Sequence, residues 1–361
     1  MIQAAVLHQP QTPLEIMEFE KPPLEPDCIE VRILASGVCH SDWHVVKGEW
    51  TQIETPLILG HEGAGVIEKV GDEISDVDPG DRVILSWKPH CGYCEMCQRG
   101  HPAVCSSESD DSLEPVFPGS DRTMSQMSGI GTFATGTTVH RTQIVPIEKD
   151  TPMGPAALIG CGVMTGVGAV INTAAVEPGS SVAVFGCGGV GLNCIQGARL
   201  SNASPIIAVD LLDNKLDMAR EFGATHVVNA GREDPVDRIR AITGGAGAHY
   251  AFEAIGLTAE PFIQALECTR ARGVTVYVGH APVNTELKLD ARMWIQEKTV
   301  IGSLYGSART QVDFPRMVSL YRSGRLMLDE LVTREYELGG VNDAFVALER
   351  GEVARSVLVM E

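Results

Sequence analysis

Positive charge is scarce in this chain. Its 361 residues carry 28 Lys and Arg against 47 Asp and Glu, a formal net charge of −19. An acidic surface repels phosphate backbones and anionic lipid, so nucleic-acid and membrane-surface binding are disfavoured. A local basic pocket for a phosphorylated cofactor stays compatible with that balance. A basic N-terminal segment leading into an apolar stretch is also missing. The opening residues MIQAAVLHQP read as a first β-strand, so no secretion is expected and a cytoplasmic location is. Internal repeats and low-complexity tracts are absent. One internal stretch, 151–176, lacks charge altogether and is long enough for a membrane helix. Its repeated Gly, two Pro, Asn172, several Thr and a central Cys argue instead for a buried crossing between domains.

What is present reads as an ordinary globular protein, 44% apolar and 21% charged, with a length that predicts two domains. Residues 1–85 hold short β-like runs, IQAAVLH, CIEVRILASGV, GAGVIEKVG and DRVILSW, punctuated by KPPLEP and DPGDR. That pattern predicts a β-rich, barrel-like domain. Residues 106–130 are polar and predict a long surface loop. From about 180 the rhythm becomes strand, helix, strand, with apolar β-branched strands such as SVAVFG and PIIAVD. Such alternation predicts an α/β domain with a parallel sheet covered on both faces. After about 305, two helical stretches precede a closing strand, ARSVLVM.

Ten cysteines are present, and four fall in CGYCEMCQRGHPAVC: Cys91, Cys94, Cys97 and Cys105. In a long chain of this kind, clustered Cys points to metal rather than to disulfides. Four thiolates in one short loop can close a tetrahedral shell around zinc, leaving no open position, so the role is structural. A four-iron cluster is the competing reading, but the C-x2-C-x2-C-x7-C spacing without a following Pro fits the bacterial ferredoxin run poorly. A second motif, FGCGGVG, sets Gly186, Gly188 and Gly191 in G-x-G-x-x-G register between an apolar strand and a helix. Asp210 ends the next strand, nineteen residues after Gly191. The glycines permit a tight turn and close approach to a pyrophosphate, and Asp210 accepts from ribose hydroxyls. A carboxylate there repels a 2′-phosphate, and Leu211 and Leu212 follow it where an Arg would welcome one, so NAD is expected over NADP. GVCHSDWH, GHEGAG and GCGVMTG supply Cys39, His61 and Cys161, a Cys2His set suited to a catalytic zinc with an open position. Spacing alone does not assemble residues so far apart.

These motifs, in this order, resemble the zinc-dependent alcohol dehydrogenases of the medium-chain dehydrogenase/reductase family. The likeness runs nearly end to end, through LGHEGAGVIEKVG, FGATHVVN and FEAIG. It implies a GroES-like catalytic domain (1–162 and 305–361) and a Rossmann NAD-binding domain (163–304). It implies two zinc ions per chain, a catalytic one on Cys39, His61 and Cys161 and a structural one on Cys91, Cys94, Cys97 and Cys105. The fourth catalytic position goes to water, the alcohol oxygen or, in some states, Glu62. The implied reaction is reversible hydride transfer from a zinc-bound alkoxide to NAD. Ser41 takes the alcohol proton, and a relay through the nicotinamide ribose ends at His44, a base exposed to water. Asp42 supports a metal ligand such as His61. His40 and Arg355 face the cofactor pyrophosphate and Lys215 the adenosine ribose, and Thr165, Gly189, Val190, Ile255 and Val278 complete the cofactor contacts. Trp50 and Trp87 line the alcohol pocket and favour flat or small substrates. Trp43 is a packing or pocket-rim residue.

The stretch GCGVMTGVGAVINTAAV, SLYG at 303–306 and the 106–130 loop look especially like mycothiol-dependent formaldehyde dehydrogenases. Trp50 stands where the glutathione version carries an acidic residue. A primary alcohol dehydrogenase, aromatic alcohols included, is therefore expected, with oxidation of a hydroxymethyl thioether as the runner-up. A zinc-ribbon interaction protein is the reading from another class and predicts one zinc and no cofactor. A zinc-free reductase of the same fold is disfavoured by Cys39, His61 and Cys161 together. The expected partners are a small alcohol or aldehyde and further copies of the chain, as homodimer or homotetramer.

Overall fold

A computed structural model describes residues 1–106, 113–282 and 284–360. The chain forms two compact units, Met1–Cys161 with Arg309–Glu361, and Gly162–Ala308.

The first unit is built on β-sheet. Its larger sheet has seven strands around the long strand Cys28–Val38, which pairs antiparallel with Gly63–Val70, Gly136–His140 and Arg355–Val359. A smaller sheet sets Ile2–Leu7 between Glu15–Phe19 and Leu57–Ile58, with Ser125–Gln126 at its edge. The long strand is buried along most of its length, so it reads as a nearly continuous apolar run rather than an alternating one. Ile29, Val31, Ile33 and Val38 pack there against Leu7, Phe133 and Phe345. Truncating one of the fully buried Phe residues costs about 3–5 kcal/mol, since transfer and cavity terms add.

Among its described residues the second unit carries six strands, all parallel: Val182–Phe185, Ile206–Asp210, His226–Asn229, Ala248–Glu253, Thr269–Tyr277 and Thr299–Gly302. Their spatial order is third, second, first, fourth, fifth, sixth. This is the doubly wound Rossmann order, whose strand direction of progress reverses beside the first strand. Helices Gly189–Leu200, Asp213–Phe222, Pro235–Ile242 and Ala259–Glu267 supply the crossovers. Their ends follow local chemistry. Asp234 caps Pro235–Ile242 by accepting from Asp237 N–H at 2.9 Å, with Pro235 at the first helical position.

One sequence expectation needs correction, and another is borne out. Residues 107–112 of the expected 106–130 loop lie outside the described residues. The remainder is not a bare surface loop: Val116 bridges Glu20 and Thr123, and Met124, Met127 and Ile130 are buried. Spaced methionines among polar residues gave too weak a periodic signal to reveal this. The uncharged stretch folds as the helical segment Met153–Thr173, in which the chain passes from the first unit to the second. It is long and apolar enough to cross a membrane, but 83% of its most apolar window is buried within the protein.

Candidate active site

Three distant segments meet at one end of the long strand. Register pairs Ser36 with Gly63 and Val38 with Ser356, so Cys39, the pair His61–Glu62 and Arg355 arrive together. Cys161 joins them from a wide π turn, Ile159–Val163, a local expansion that re-aims side chains and recurs at functional sites. One ligand atom each from Cys39, His61, Glu62 and Cys161 lies within 4.8 Å of all the others.

Asp42 fastens this cluster. It is the third residue of the short helix His40–Lys47, which Cys39 caps. Its fully buried carboxylate accepts from Cys39 N–H at 3.3 Å and Gly60 N–H at 2.9 Å, and lies 3.2 Å from His61 Nδ1. Burial disfavours a charged His61 ring, but Asp42 outweighs burial and holds the ring well above its ordinary value. A hydrogen bond with the Cys161 sulfur holds the Cys39 thiol well below its ordinary range, against burial. Because Asp42 occupies Nδ1, the other ring nitrogen is the one available to a metal. Among the described residues, the buried His61 Nε2 has no hydrogen-bond partner within bonding geometry. Leaving such an atom unsatisfied costs about 1–3 kcal/mol. A zinc ion on two sulfurs and this nitrogen would remove that cost, so the residues fit the metal.

Behind the cluster, Glu62 Oε2 contacts Arg355 Nη2, both side chains buried. Burial pushes the Glu62 carboxyl up to about 7, with the Arg355 charge opposing it.

The four-cysteine loop passes a similar test. Cys94 and Cys105 sulfurs are 3.8 Å apart, and Cys105 and Cys91 sulfurs 3.6 Å. Sulfurs at the corners of a tetrahedron with metal–sulfur bonds of about 2.3 Å stand roughly 3.8 Å apart. Backbone amides of Cys97 and Ser106 push the Cys94 thiol down to about 5, toward the thiolate a metal needs.

In the second unit, helix Gly189–Leu200 starts at Gly188 with no side-chain cap, and a Cβ on Gly188 would meet open space. Uncapped N–H groups facing open space fit a pyrophosphate. Gly191 is a packing requirement: a Cβ there would lie 1.8 Å from Gly186 O. Asp210 accepts from Cys187 N–H at 2.8 Å, Leu211 N–H at 2.7 Å and Leu212 N–H at 3.1 Å, tying the Gly-rich turn to the second strand's end. Burial pushes Lys215 below the ordinary lysine range, and the charge of Asp210 partly restores it.

Comparison with known proteins agrees with this chemistry. Residues 25–149 match the alcohol dehydrogenase GroES-like domain, and residues 189–323 the zinc-binding dehydrogenase domain. Together these cover more than half of the chain.

The chain belongs to the zinc-dependent alcohol dehydrogenases.

Among its relatives is an S-(hydroxymethyl)glutathione dehydrogenase from Paracoccus denitrificans, 35% identical over 371 residues and covering 99% of each chain. Among solved structures, a benzyl alcohol dehydrogenase from Acinetobacter calcoaceticus is 32% identical, with a TM-score of 0.92 over 100% of this chain and 99% of that one. An alcohol dehydrogenase zinc-binding domain protein from Burkholderia ambifaria has a TM-score of 0.94, 32% identity and the same coverage.

Other expected site residues of this dehydrogenase are placed as follows. His40 is exposed and Ser41 half-buried, at the first and second positions of the helix after Cys39. His44 differs from expectation. It is 6% exposed rather than open to water, with Nδ1 2.5 Å from Glu49 Oε2. Trp50 stacks on His44, with centroids 5.3 Å apart, and Trp87 is half-buried against the core. Trp43 is a packing residue, stacked on Phe345 at 5.2 Å. In the second unit Thr165 is half-buried. Ile255 N–H and Gly256 N–H donate to the buried Glu253 at 2.8 Å, and Val278 N–H donates to the Glu253 carbonyl at 2.9 Å. Sequence reasoning missed Glu253 and Glu49. The acid in FEAIG, at the end of an apolar strand, was a usable signal for the first. The Gly48 turn after a helix was one for the second.

Proposed function

We propose that this zinc-dependent alcohol dehydrogenase oxidises primary alcohols, aromatic alcohols included, to aldehydes with NAD. The observation that carries the proposal is the buried meeting of Cys39, His61 and Cys161 around an unsatisfied His61 Nε2. Zinc held there supplies Lewis-acid polarisation of the alcohol oxygen, and NAD supplies the hydride acceptor. The protein's own residues do the rest. Cys39 and Cys161 would hold the zinc as thiolates, and Asp42 keeps the His61 proton on Nδ1 and so orients the ring. Glu62, held by Arg355, keeps a carboxylate beside the metal ligands. Ser41 Oγ receives the alcohol proton, and His44 accepts it onward. Trp50 and Trp87 wall the substrate pocket with flat surfaces, which suits an aromatic ring. In the second unit, the amides of Gly188, Gly189 and Val190 receive the pyrophosphate, Asp210 and Lys215 the adenosine ribose, and Thr165, Ile255 and Val278 the rest of the cofactor. Arg355, expected at the cofactor pyrophosphate, is instead buried and paired with Glu62. Cys91, Cys94, Cys97 and Cys105 would hold a structural zinc that stabilises their loop.

Assembly as a homodimer or homotetramer and a cytoplasmic location belong to the same proposal. Six of the ten cysteines stand in two metal-ligand clusters, which supports a reducing compartment.

The identity with the S-(hydroxymethyl)glutathione dehydrogenase favours a second reading, oxidation of a hydroxymethyl thioether. A substrate panel with NAD tests both. Benzyl alcohol and short primary alcohols should turn over without added thiol. Formaldehyde oxidation that needs a low-molecular-weight thiol, with no turnover of simple alcohols, would replace the first reading by the second.

A further inference from the structure

The His44 ring is buried, yet one of its nitrogens reaches a partly exposed carboxylate. Nδ1 lies 2.5 Å from Glu49 Oε2, and the Glu49 side chain is 39% exposed. Backbone geometry brings the two together. Helix His40–Lys47 ends at Gly48 in the left-handed conformation, φ 75°, and Glu49 N–H then donates to His44 C=O at 2.9 Å. The turn folds the Glu49 side chain back over the last helical turn. At that φ any residue with a Cβ is strained, so Gly48 is what permits the pairing. Trp50, two residues on, closes over the face of the imidazole.

We propose that Glu49 is a positioning residue for His44 in alcohol oxidation, holding the neutral ring's proton on Nδ1 and balancing the charge of the imidazolium. This rests on the reading of His44 as the onward proton acceptor. An ionised carboxylate only accepts hydrogen bonds, so it selects the tautomer with N–H at Nδ1 and leaves the lone pair on Nε2. The incoming proton bonds to that lone pair. The ring becomes a cation beside an anion, and the pair carries no net charge. The cation then gives one proton to water and the neutral ring returns. Lys47 is a cation close enough to Glu49 to feel its charge. Its Nζ is held by Glu349 of helix Val341–Glu349 at 2.5 Å, over the Trp43 ring. That leaves the Glu49 carboxylate to the imidazole.

The test compares Glu49→Gln, Glu49→Asp, His44→Gln and the double variant His44→Gln/Glu49→Gln as zinc-loaded enzymes, with benzyl alcohol and NAD from pH 6 to 10. Gln keeps an acceptor for Nδ1–H but carries no charge. Glu49→Gln should lower kcat about tenfold near pH 7, within the range of a general-base contribution, and leave the KM for NAD within about twofold. The deficit should close toward pH 10, where hydroxide takes the proton. Glu49→Asp should recover most of the rate, and the double variant should be no slower than His44→Gln. Thermal melting separates these effects from misfolding, and Glu49→Asp carries the test if Gln does not fold. A parent-like kcat in Glu49→Gln beside a changed His44→Gln profile overturns the role of Glu49 alone. So does a loss that is constant with pH or multiplies in the double variant. An unchanged profile in His44→Gln overturns the acceptor reading itself, and Glu49 with it.

Discussion

Replacing Asp210 by Ala should have two separable effects. The first is structural. Asp210 accepts three backbone N–H groups, from Cys187, Leu211 and Leu212, at 2.7–3.1 Å. The residue is only half-buried, so each bond is worth about 0.5–1 kcal/mol rather than the higher figure for a buried charge. Together their loss should lower stability by roughly 2 kcal/mol and loosen the Gly-rich turn. The second effect is selective. A carboxylate about 5 Å from a doubly charged 2′-phosphate, at an effective dielectric between protein surface and water, repels it by about 2 kcal/mol, or roughly thirtyfold. The assay is kcat/KM for NAD and NADP on the parent, Asp210→Ala and Asp210→Asn. The NAD-to-NADP ratio should fall about thirtyfold in both variants, through weaker NAD and stronger NADP. Denaturant unfolding should show the larger stability loss in Ala. A ratio unchanged in both variants, or a parent that already prefers NADP, would refute the reasoning.

Cys105→Ser should reduce zinc from two ions per chain to one, measured by elemental analysis, because a closed four-thiolate shell tolerates no missing corner. Unchanged zinc content would remove the structural assignment. Gly191→Ala sets a Cβ 1.8 Å from the Gly186 carbonyl. NADH binding followed by fluorescence should weaken at least a hundredfold while both zinc ions remain, and parent-like binding would show that the turn is not the cofactor's seat. Phe345→Ala removes a fully buried ring packed against Trp43 and Phe133. It should cost about 3–5 kcal/mol in urea unfolding, and a loss under 1 kcal/mol would mean that the site collapses around the gap.

The second unit was legible because its signals are local. VAVF, IIAVD and HVVN are apolar runs flanked by glycine and by amphipathic helices, and each became a parallel strand. The sixth strand, Thr299–Gly302, was not separated, since two half-buried residues between two exposed ones show no period. The first unit was legible in its long strands and less so in pieces such as Leu57–Ile58, whose two residues depend on pairing with Leu7 and Val6. The four-cysteine loop could be read from spacing because all its ligands fall within one turn of chain. The cluster of Cys39, His61 and Cys161 could not, because strand register and a π turn assemble it. Only likeness to a family named those residues together. The burial of His44 and its pairing with Glu49 depend on the left-handed turn at Gly48 and on Trp50 closing over the ring, and neither follows from residue type.

The most direct test of the account is zinc content and turnover in Cys161→Ala beside the parent. The parent should hold two zinc ions per chain and reduce NAD with benzyl alcohol. Cys161→Ala should keep the one zinc ion of the four-cysteine loop, bind NADH as tightly as the parent, and lose at least a thousandfold in alcohol oxidation. A folded Cys161→Ala protein that keeps two zinc ions, or oxidises the alcohol at the parent's rate, would contradict a catalytic zinc on Cys39, His61 and Cys161.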